Sequence, residues 1–234
     1  MPLVARTIAG VPTLIAEPVG VTTPCPVVFW HHGFTADALT HASELTSCAA
    51  LGMLAVGVDA VGHGARRAAD LRAQVARRGA LPVMLDQVDE TVAELTALRA
   101  GLLDAYDVDA TRLSLVGISM GAFLVYRAIV AGVPARAAVA LLGSPEWPQG
   151  TDQDHALVSL RRVALLSITA EHDVNVPPEP VTRLHAALAQ GGSGDAPPAA
   201  GHAHHVLPGV GHLTPAAAWD EAMARTRDWL IRHG

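Results

Sequence analysis

The sequence contains no lysine, and its basic charge comes from 16 arginine residues alone. These arginines are scattered in ones and twos, and 22 acidic residues outnumber them, so the formal net charge is -6 at pH 7. A nucleic-acid-binding surface needs basic side chains concentrated on one face or along one helix. We therefore expect no nucleic-acid partner.

Cysteine is scarce, with only Cys25 and Cys48 in the chain. Two cysteines do not make a disulfide framework or a metal site, so we expect both to be small buried residues. This use of cysteine is typical of a cytoplasmic protein, and we expect a cytoplasmic location.

Long apolar runs are also missing. No uninterrupted apolar stretch reaches the 18 residues that indicate a membrane-spanning helix. The first residues, MPLVARTIAGVPTLIAEP, lack the basic segment followed by an apolar block that marks a signal peptide. We therefore expect neither a signal peptide nor a membrane partner.

The residues that are present favour a globular protein with a full core. The chain has 234 residues, of which 50% are hydrophobic and 16% charged. We find no internal repeat, and we expect one domain over residues 1–234.

Short apolar runs alternate with helical patterns along the chain. The predicted strands are 26–33, 52–60, 112–119, 136–144, 163–173 and about 203–207. The predicted helices are about 36–50, 84–104, 120–132, 178–190 and 215–232. The runs 3–9 and 12–17 flank a Gly-Val-Pro turn and predict an antiparallel hairpin at the sheet edge. The fold class is therefore α/β, with an eight-stranded, mostly parallel sheet and helices on both faces.

Three stretches show no regular pattern. Residues 62–82 and 145–160 fit no predicted helix or strand, and residues 190–205 are rich in glycine and proline. We expect loops in all three places.

The segment LSLVGISMGAFLV places Ser119 between Gly117 and Gly121, where a strand pattern changes to a helical one. Ligands of an open parallel sheet bind beyond the carboxyl ends of its strands. Asp173 and His212 also follow predicted strands, so a serine, an aspartate and a histidine are expected at that edge. Glu171, Asp152 and Asp154 remain alternatives for the acid.

The pentapeptide Gly-Ile-Ser-Met-Gly resembles the G-x-S-x-G nucleophile elbow of the α/β-hydrolase superfamily, and the chain order Ser, Asp, His is that of the family. The resemblance extends over about residues 3–232. It implies that Ser119 is the nucleophile, His212 the base and Asp173 the residue that orients the base.

The same resemblance implies an oxyanion hole. In this family one backbone N–H comes from the residue after the nucleophile, here Met120, and the other from the turn after the third strand. There the segment HHGF resembles the family's His-Gly-x pattern and indicates Phe34. His31 and His32 are expected to be structural.

The segment VDAVGHGARR resembles the Asp-x-x-Gly-His-Gly turn after the fourth strand of many of these hydrolases. Asp59 and His63 are accordingly expected to be scaffold. Arg66 follows the turn, as in small bacterial esterases related to dienelactone hydrolases. It is expected to be a solvated side chain, with substrate binding at the mouth of the site as the alternative.

Many members of the family insert a large helical lid after the sixth strand, whereas here residues 145–160 leave little room for one. Trp147 lies in this short segment and is a candidate substrate-binding residue. Without a large lid, the site is expected to be open and shallow, and such a site favours short-chain esters. Dienelactone hydrolases use a cysteine nucleophile, so Ser119 argues against that reaction.

No cofactor or metal is expected. His202, His204 and His205 form a cluster, but they lie in or beside a strand without a matching cysteine or acidic partner. We interpret them as histidines of a strand edge.

These patterns predict a serine hydrolase that cleaves small carboxylic esters through an acyl-enzyme. Cleavage of a thioester, lactone or peptide bond, or perhydrolysis, on the same three residues is the main alternative. A non-catalytic binding protein on a hydrolase scaffold is less favoured, because such proteins usually lose one of the three residues. The sequence leaves open the physiological substrate, the oligomeric state and whether residues 62–82 act as a cap over the site.

Overall fold

The computed structural model of the protein describes residues 2–18, 20, 23–147, 150–190 and 201–234. Within these residues the chain forms one eight-stranded sheet in the order β1-β2-β4-β3-β5-β6-β7-β8. Its strands are β1 (Leu3–Ile8), β2 (Val11–Ala16), β3 (Cys25–His31), β4 (Leu54–Val58), β5 (Val108–Ile118), β6 (Ala137–Leu141), β7 (Ala164–Ala170) and β8 (His202–Leu207).

The sheet is parallel from β4 to β8 and antiparallel at its other edge. β1 pairs antiparallel with β2, and β2 pairs antiparallel with β4. All remaining neighbours run parallel. The predicted hairpin and the predicted eight-stranded, mostly parallel sheet are therefore confirmed.

Seven α-helices cover the sheet in the part of the chain that the structure describes. They are α1 (Ala42–Ala50), α2 (Leu71–Arg78), α3 (Ala80–Ala105), α4 (Met120–Val130), α5 (Gln153–Arg161), α6 (Glu179–Ala189) and α7 (Ala216–His233). Short 3-10 turns precede α1 at Ala38–His41 and α2 at Gly64–Arg66.

Two predicted loops are wrong. Residues 62–82 hold α2 and the first turn of α3, because alanine, leucine, arginine and glutamine favour a helix even where no side chain is buried. Gly79 separates the two helices with a φ of 87°. Residues 145–160 hold most of α5, which begins where the Asp152 carboxylate accepts the backbone N–H groups of Asp154 and His155.

The predicted loop 190–205 is also wrong at its end, because β8 begins at His202. The rest of that prediction, residues 191–200, lies outside the described residues.

The two faces of the sheet bury separate cores because successive strand residues point to opposite faces. On β3, Phe29 joins the core that includes buried residues of α3 and α4, whereas Trp30 joins the core beneath α1 and α7. Every residue of β4, β6 and β7 is buried. This packing on both faces fixes the parallel strands and hence the positions of the loops at their carboxyl ends.

The two cysteines are free and buried, as expected. Burial raises the pKa of the Cys48 thiol to about 12, so this side chain is an unreactive core residue. In the residues that the structure describes, no helix is both long and apolar enough to cross a membrane.

Candidate active site

Ser119 occupies a sharp corner between β5 and α4. Its backbone angles are φ 53° and ψ -115°, a left-handed conformation that a residue with a side chain adopts only when its surroundings enforce it. Its N–H donates to the carbonyl of Leu141 on the neighbouring strand at 2.8 Å. The corner exposes the hydroxyl above the carboxyl edge of the sheet.

The glycines around Ser119 are required by close backbone contacts. A Cβ at Gly117 would lie 2.0 Å from the carbonyl oxygen of Gly121. A Cβ at Gly121 would lie 2.2 Å from the carbonyl oxygen of His31 on β3. Any larger residue at either position would push α4 away from the sheet, so both glycines serve the corner directly.

A chain of hydrogen bonds joins Ser119 to two residues that are far away in the sequence. The Ser119 Oγ lies 2.9 Å from the His212 Nε2, and the His212 Nδ1 lies 2.7 Å from the Asp173 Oδ2. The Asp173 carboxylate is fully buried, and its other oxygen accepts the backbone N–H groups of Asn175 and Val176 at 3.0 and 2.8 Å. A neutral His212 that donates from Nδ1 to Asp173 leaves Nε2 free to accept the serine proton.

The alternative acids are engaged elsewhere. The Glu171 carboxylate accepts the Gly209 N–H at 2.8 Å and so fixes the loop that leads to His212. Asp152 caps α5, and Asp154 is exposed in the first turn of that helix. Of the four candidate acids, the structure brings Asp173 to His212.

The two expected oxyanion amides border Ser119. Met120 is the first residue of α4, where N–H groups have no acceptor within the helix. Phe34 follows Gly33, at which an added Cβ would lie 3.6 Å from the Ser119 Cβ, so this turn is in contact with the corner. Among the described residues, neither the Met120 nor the Phe34 N–H donates a hydrogen bond.

The histidine pair before this turn is buried and neutral. Burial lowers the pKa of His31 to about 3 and that of His32 to about 4. The His32 Nδ1 donates to the Gly33 carbonyl at 2.8 Å, and its Nε2 accepts the Ala60 N–H at 3.1 Å. His32 therefore ties the turn after β3 to the turn after β4, which fits the expected structural role.

Asp59 and His63 complete this scaffold. The two oxygens of Asp59 accept the N–H groups of Ala38 and Ala65 at 2.9 and 2.8 Å, so one carboxylate fixes two loops. The ring of His63 packs at 5.3 Å from the rings of both His32 and Phe34.

The expectation that Arg66 is solvated is wrong. Its guanidinium binds both carboxylate oxygens of Glu94 at 2.9 and 2.7 Å, and its Nε donates to the Asp59 carbonyl at 3.0 Å. Only 20% of the Arg66 side chain is exposed. Glu94 lies on α3, 28 residues away, and no pattern in the sequence indicates this pair. A substrate contact by Arg66 stays a prediction.

Trp147 is half-buried and packs edge-on against Tyr126, with ring centroids 6.3 Å apart. It lines a groove of about 350 Å³ together with residues of α5 and α6, among them Leu157 and Leu184. We refer to this space as the α5–α6 groove.

The cluster of His202, His204 and His205 lies on β8, and the three side chains lie next to different neighbours. His202 and His204 contact the Leu160 carbonyl and the Thr169 hydroxyl, at 3.2 and 2.8 Å. His205 lies 2.9 Å from a carboxylate oxygen of Glu221. In the described part of the chain, no group of three or more histidine, cysteine or acidic side chains is arranged to hold a metal.

Sequence reasoning missed one buried polar network. The Ser167 hydroxyl lies 2.8 Å from both the Tyr126 hydroxyl and the His185 Nε2, and the His185 ring stacks on that of His204. Burial lowers the pKa of His185 to about 4. These four residues lie on four different elements. The one signal in the sequence is Ser167 itself, a polar residue within a mostly apolar strand, which indicates a buried hydroxyl with a hydrogen-bond partner.

This arrangement occurs on a known fold. The chain has the α/β-hydrolase fold: the structure of TT1662 from Thermus thermophilus matches with a TM-score of 0.67 and 22% identity over 98% of this chain and 99% of that chain. A Klebsiella pneumoniae protein provisionally assigned as a dienelactone hydrolase matches with a TM-score of 0.73 and 16% identity over the whole of both chains. Esterase 2 of Thermogutta terrifontis, phosphoramylated by tabun, matches with a TM-score of 0.69 and 13% identity over 98% of this chain and 94% of that chain.

The comparison of sequences points to one curated relative. Esterase YjfP of Escherichia coli (strain K12) is 31% identical over 141 residues, which are 60% of this chain and 54% of that protein. The match thus spans about half the length of the relative. No protein-family model matches the chain.

The buried histidines predict a loss of stability in mild acid. His31, His32 and His185 have pKa values of about 3, 4 and 4 in the folded chain, compared with 6.5 for an ordinary histidine. As the pH falls from 6.5 towards 4, the unfolded chain therefore binds more protons than the folded chain, and the free energy of unfolding decreases. Each such group contributes about 1.4 kcal/mol per pH unit in this window.

Urea unfolding at pH 7, 6 and 5 measures the slope of the free energy of unfolding against pH. We expect His185→Gln, which keeps a polar group near Ser167 but does not titrate, to reduce the slope by about one proton. An equal slope in the variant and the wild type would contradict the assignment for His185.

Proposed function

We propose that this protein is a cytoplasmic, cofactor-free serine hydrolase that cleaves small or short-chain carboxylic esters, and that residues 1–234 form one α/β-hydrolase domain. The observation that carries the proposal is the hydrogen-bonded chain from Ser119 through His212 to the buried Asp173, built on a strained corner. The likeness to esterase YjfP and to Thermogutta terrifontis esterase 2 supports ester hydrolysis as the reaction.

The reaction begins at the Ser119 hydroxyl, which is a weak nucleophile until a base removes its proton. As the Oγ attacks the ester carbonyl carbon, the proton passes to the His212 Nε2, 2.9 Å away. The tetrahedral intermediate then expels the alcohol, which takes the proton from His212. Water attacks the acyl-enzyme by the same route, and the carboxylic acid leaves as Ser119 recovers its proton.

Asp173 stabilises the imidazolium that forms in both steps. Its carboxylate has no exposure to solvent, and two backbone N–H groups hold it in place, so it remains aligned with the His212 Nδ1. An aligned carboxylate selects the tautomer in which Nε2 accepts a proton, which is the form that the first step requires.

The negative charge on the former carbonyl oxygen needs two fixed donors. The Met120 and Phe34 N–H groups are the candidates, because neither has an acceptor among the described residues and both border Ser119. Backbone donors that are fixed before the reaction stabilise the oxyanion without reorganisation.

The α5–α6 groove is the candidate acyl site. Pro145 and Trp147 follow β6, whose last carbonyl accepts the Ser119 N–H, and Pro180 stands in the helix that follows the Asp173 loop. The groove is therefore lined by residues that follow the carboxyl ends of β6 and β7, the strands that precede α5 and the Asp173 loop. Its apolar lining from Trp147, Leu157 and Leu184 suits a short acyl chain.

Thioester, lactone or peptide cleavage and perhydrolysis use the same three residues and remain alternatives. Porphyromonas gingivalis dipeptidyl peptidase 4 shares the fold with a TM-score of 0.70, although this chain covers only 35% of it. Activity on acetyl thioesters and on aminoacyl anilides, compared with that on p-nitrophenyl acetate, separates thioester and peptide cleavage from ester hydrolysis. A non-catalytic binding protein would show no turnover with any of them.

The nucleophile is tested by Ser119→Ala. We expect loss of p-nitrophenyl acetate hydrolysis on the order of 10⁶-fold and loss of covalent labelling by a fluorophosphonate, because the acyl-enzyme can no longer form. Ser144→Ala is the matched control, since Ser144 is a buried serine at the same edge of the sheet. Activity of Ser119→Ala within tenfold of the wild type would refute this role.

The acid is tested by Asp173→Asn, which keeps the size of the side chain and removes its charge. We expect kcat to fall on the order of 10⁴-fold, because the amide no longer selects the productive tautomer of His212. Asp154→Asn should remain within tenfold of the wild type. If Asp154→Asn were the more damaging change, the acid would be misassigned.

Substrate size is tested with p-nitrophenyl esters of increasing acyl length. Each buried CH₂ contributes roughly 0.8 kcal/mol, but only while the groove covers it. We expect kcat/KM to peak between acetyl and hexanoyl esters and to fall for chains of about ten carbons or more.

Leu157→Trp, which fills the α5–α6 groove, should shift the peak towards acetate, whereas Val158→Trp on the exposed side of α5 should not. A steady rise of kcat/KM up to the decanoyl ester would contradict a short acyl site.

A further inference from the structure

The connection between β6 and α5 carries Trp147, and the rest of the main chain gives its backbone little support. Among the described residues, no backbone N–H or carbonyl of the stretch 143–147 bonds to another backbone group. The backbone of such a stretch takes its hydrogen bonds from side chains or from water. Trp147 therefore depends on side-chain contacts for its position in the wall of the α5–α6 groove.

Arg127 makes one of these contacts. Its Nε donates at 3.0 Å to the carbonyl of Glu146, the residue directly before Trp147. Arg127 lies in the last turn of α4, and only 5% of it is exposed. Its guanidinium is thus shielded from most of the water that would compete for its donors, so the bond to the Glu146 carbonyl is well placed to fix this part of the connection.

The remaining contacts of Arg127 hold the guanidinium itself in place. Its Nη1 donates to the Leu85 carbonyl at 3.3 Å and to the Asp89 carboxylate, and both residues belong to α3. A buried cation needs such partners, because burial without them is costly. The planar fork of a guanidinium serves α3 and the connection at the same time, and the single ammonium of a lysine does not reproduce this geometry.

The adjacent residue of α4 holds the ring of Trp147. Tyr126 packs edge-on against this ring, with centroids 6.3 Å apart, and its hydroxyl lies 2.8 Å from that of Ser167 on β7. Only 1% of Tyr126 is exposed, so it offers a fixed surface. Two consecutive residues of α4 thus contact two consecutive residues of the connection: Tyr126 meets Trp147, and Arg127 meets Glu146.

We propose that Arg127 is a positioning residue for substrate selection: by fixing the Glu146 carbonyl, it holds Trp147 in the groove wall and so sets the length of acyl chain that the wall covers. This role rests on the proposed ester hydrolysis and on the α5–α6 groove as the acyl site. The described partners of Arg127 are Glu146, Leu85 and Asp89, so it acts on the substrate through Trp147 and not by contact.

Arg127→Met tests this role, with Asp89→Asn as the matched control. Methionine has no donor, so the Glu146 carbonyl loses its partner. Asp89→Asn removes the charge that pairs with Arg127 but leaves the bond to Glu146, so it perturbs the same buried cation without releasing Trp147. Arg127→Lys keeps the positive charge beside Asp89 and provides the test if Arg127→Met fails to fold.

The measurement is the ratio of kcat/KM for p-nitrophenyl hexanoate to kcat/KM for p-nitrophenyl acetate. Each methylene group that the wall no longer covers lowers this ratio about fourfold, and two such groups lower it about fifteenfold. We expect a decrease in this range for Arg127→Met and for Arg127→Lys, and a ratio within about twofold of the wild type for Asp89→Asn. The value for acetate should change little in all three variants, because an acetyl group is too short to depend on the wall.

A double-mutant cycle tests whether Arg127 acts through Trp147. In a Trp147→Ala chain this part of the wall is already removed, so Arg127→Met should lower the ratio no further. The indole N–H signal of Trp147 in the ¹⁵N-labelled chain, assigned by its absence from Trp147→Ala, gives a readout that does not depend on activity. We expect it to move in Arg127→Met and to stay in place in Asp89→Asn.

Four results would overturn the proposal. They are an unchanged ratio in the Arg127 variants, an equal decrease in Asp89→Asn, the same decrease in the Trp147→Ala chain, and an unmoved Trp147 signal in Arg127→Met. In each of these cases the wild-type chain still hydrolyses both esters. A wild-type chain that hydrolysed neither would refute the proposed function as well, so the two failures are distinguishable.

Discussion

The contact between the Gly121 backbone and the His31 carbonyl is the constraint on which the site depends. A Cβ at Gly121 would lie 2.2 Å from that oxygen, so α4 can approach β3 only because a side chain is absent. The approach bends the chain sharply at Ser119 and forces its φ to 53°. The same closeness brings the turn after β3, with Phe34, beside the first amide of α4. The positions of Ser119, the proposed nucleophile, and of both candidate oxyanion donors thus follow from one steric fact.

The partners of Ser119 are held by backbone hydrogen bonds of two neighbouring loops. The Glu171 carboxylate accepts the Gly209 N–H, and the His172 N–H donates to the Val210 carbonyl at 2.9 Å, so the loop with Asp173 is fastened to the loop with His212. Asp173 is in turn fixed by amides of its own loop. Small deviations in such an arrangement are costly for catalysis, and these hydrogen bonds restrict the movement of both loops.

Much of this arrangement was predictable because it depends on local rules. Buried strands, the glycines beside Ser119 and the chain order of Ser119, Asp173 and His212 all leave a signal in short stretches of sequence. The ion pair of Arg66 with Glu94 was not predictable, because it joins residues 28 positions apart, and either could have faced water. The helices in 62–82 were missed because α2 buries no residue and so shows no apolar periodicity.

The short connection between β6 and α5 has a consequence for engineering. Both of its ends are firmly anchored: the Leu141 carbonyl accepts the Ser119 N–H, and Asp152 caps α5. The entropy cost of closing a loop rises only slowly with its length, so a longer segment grafted between these anchors need not disturb either of them. A cap of new shape could therefore be installed beside Ser119, the proposed nucleophile, as an exchangeable module that alters selectivity independently of the proposed chemistry.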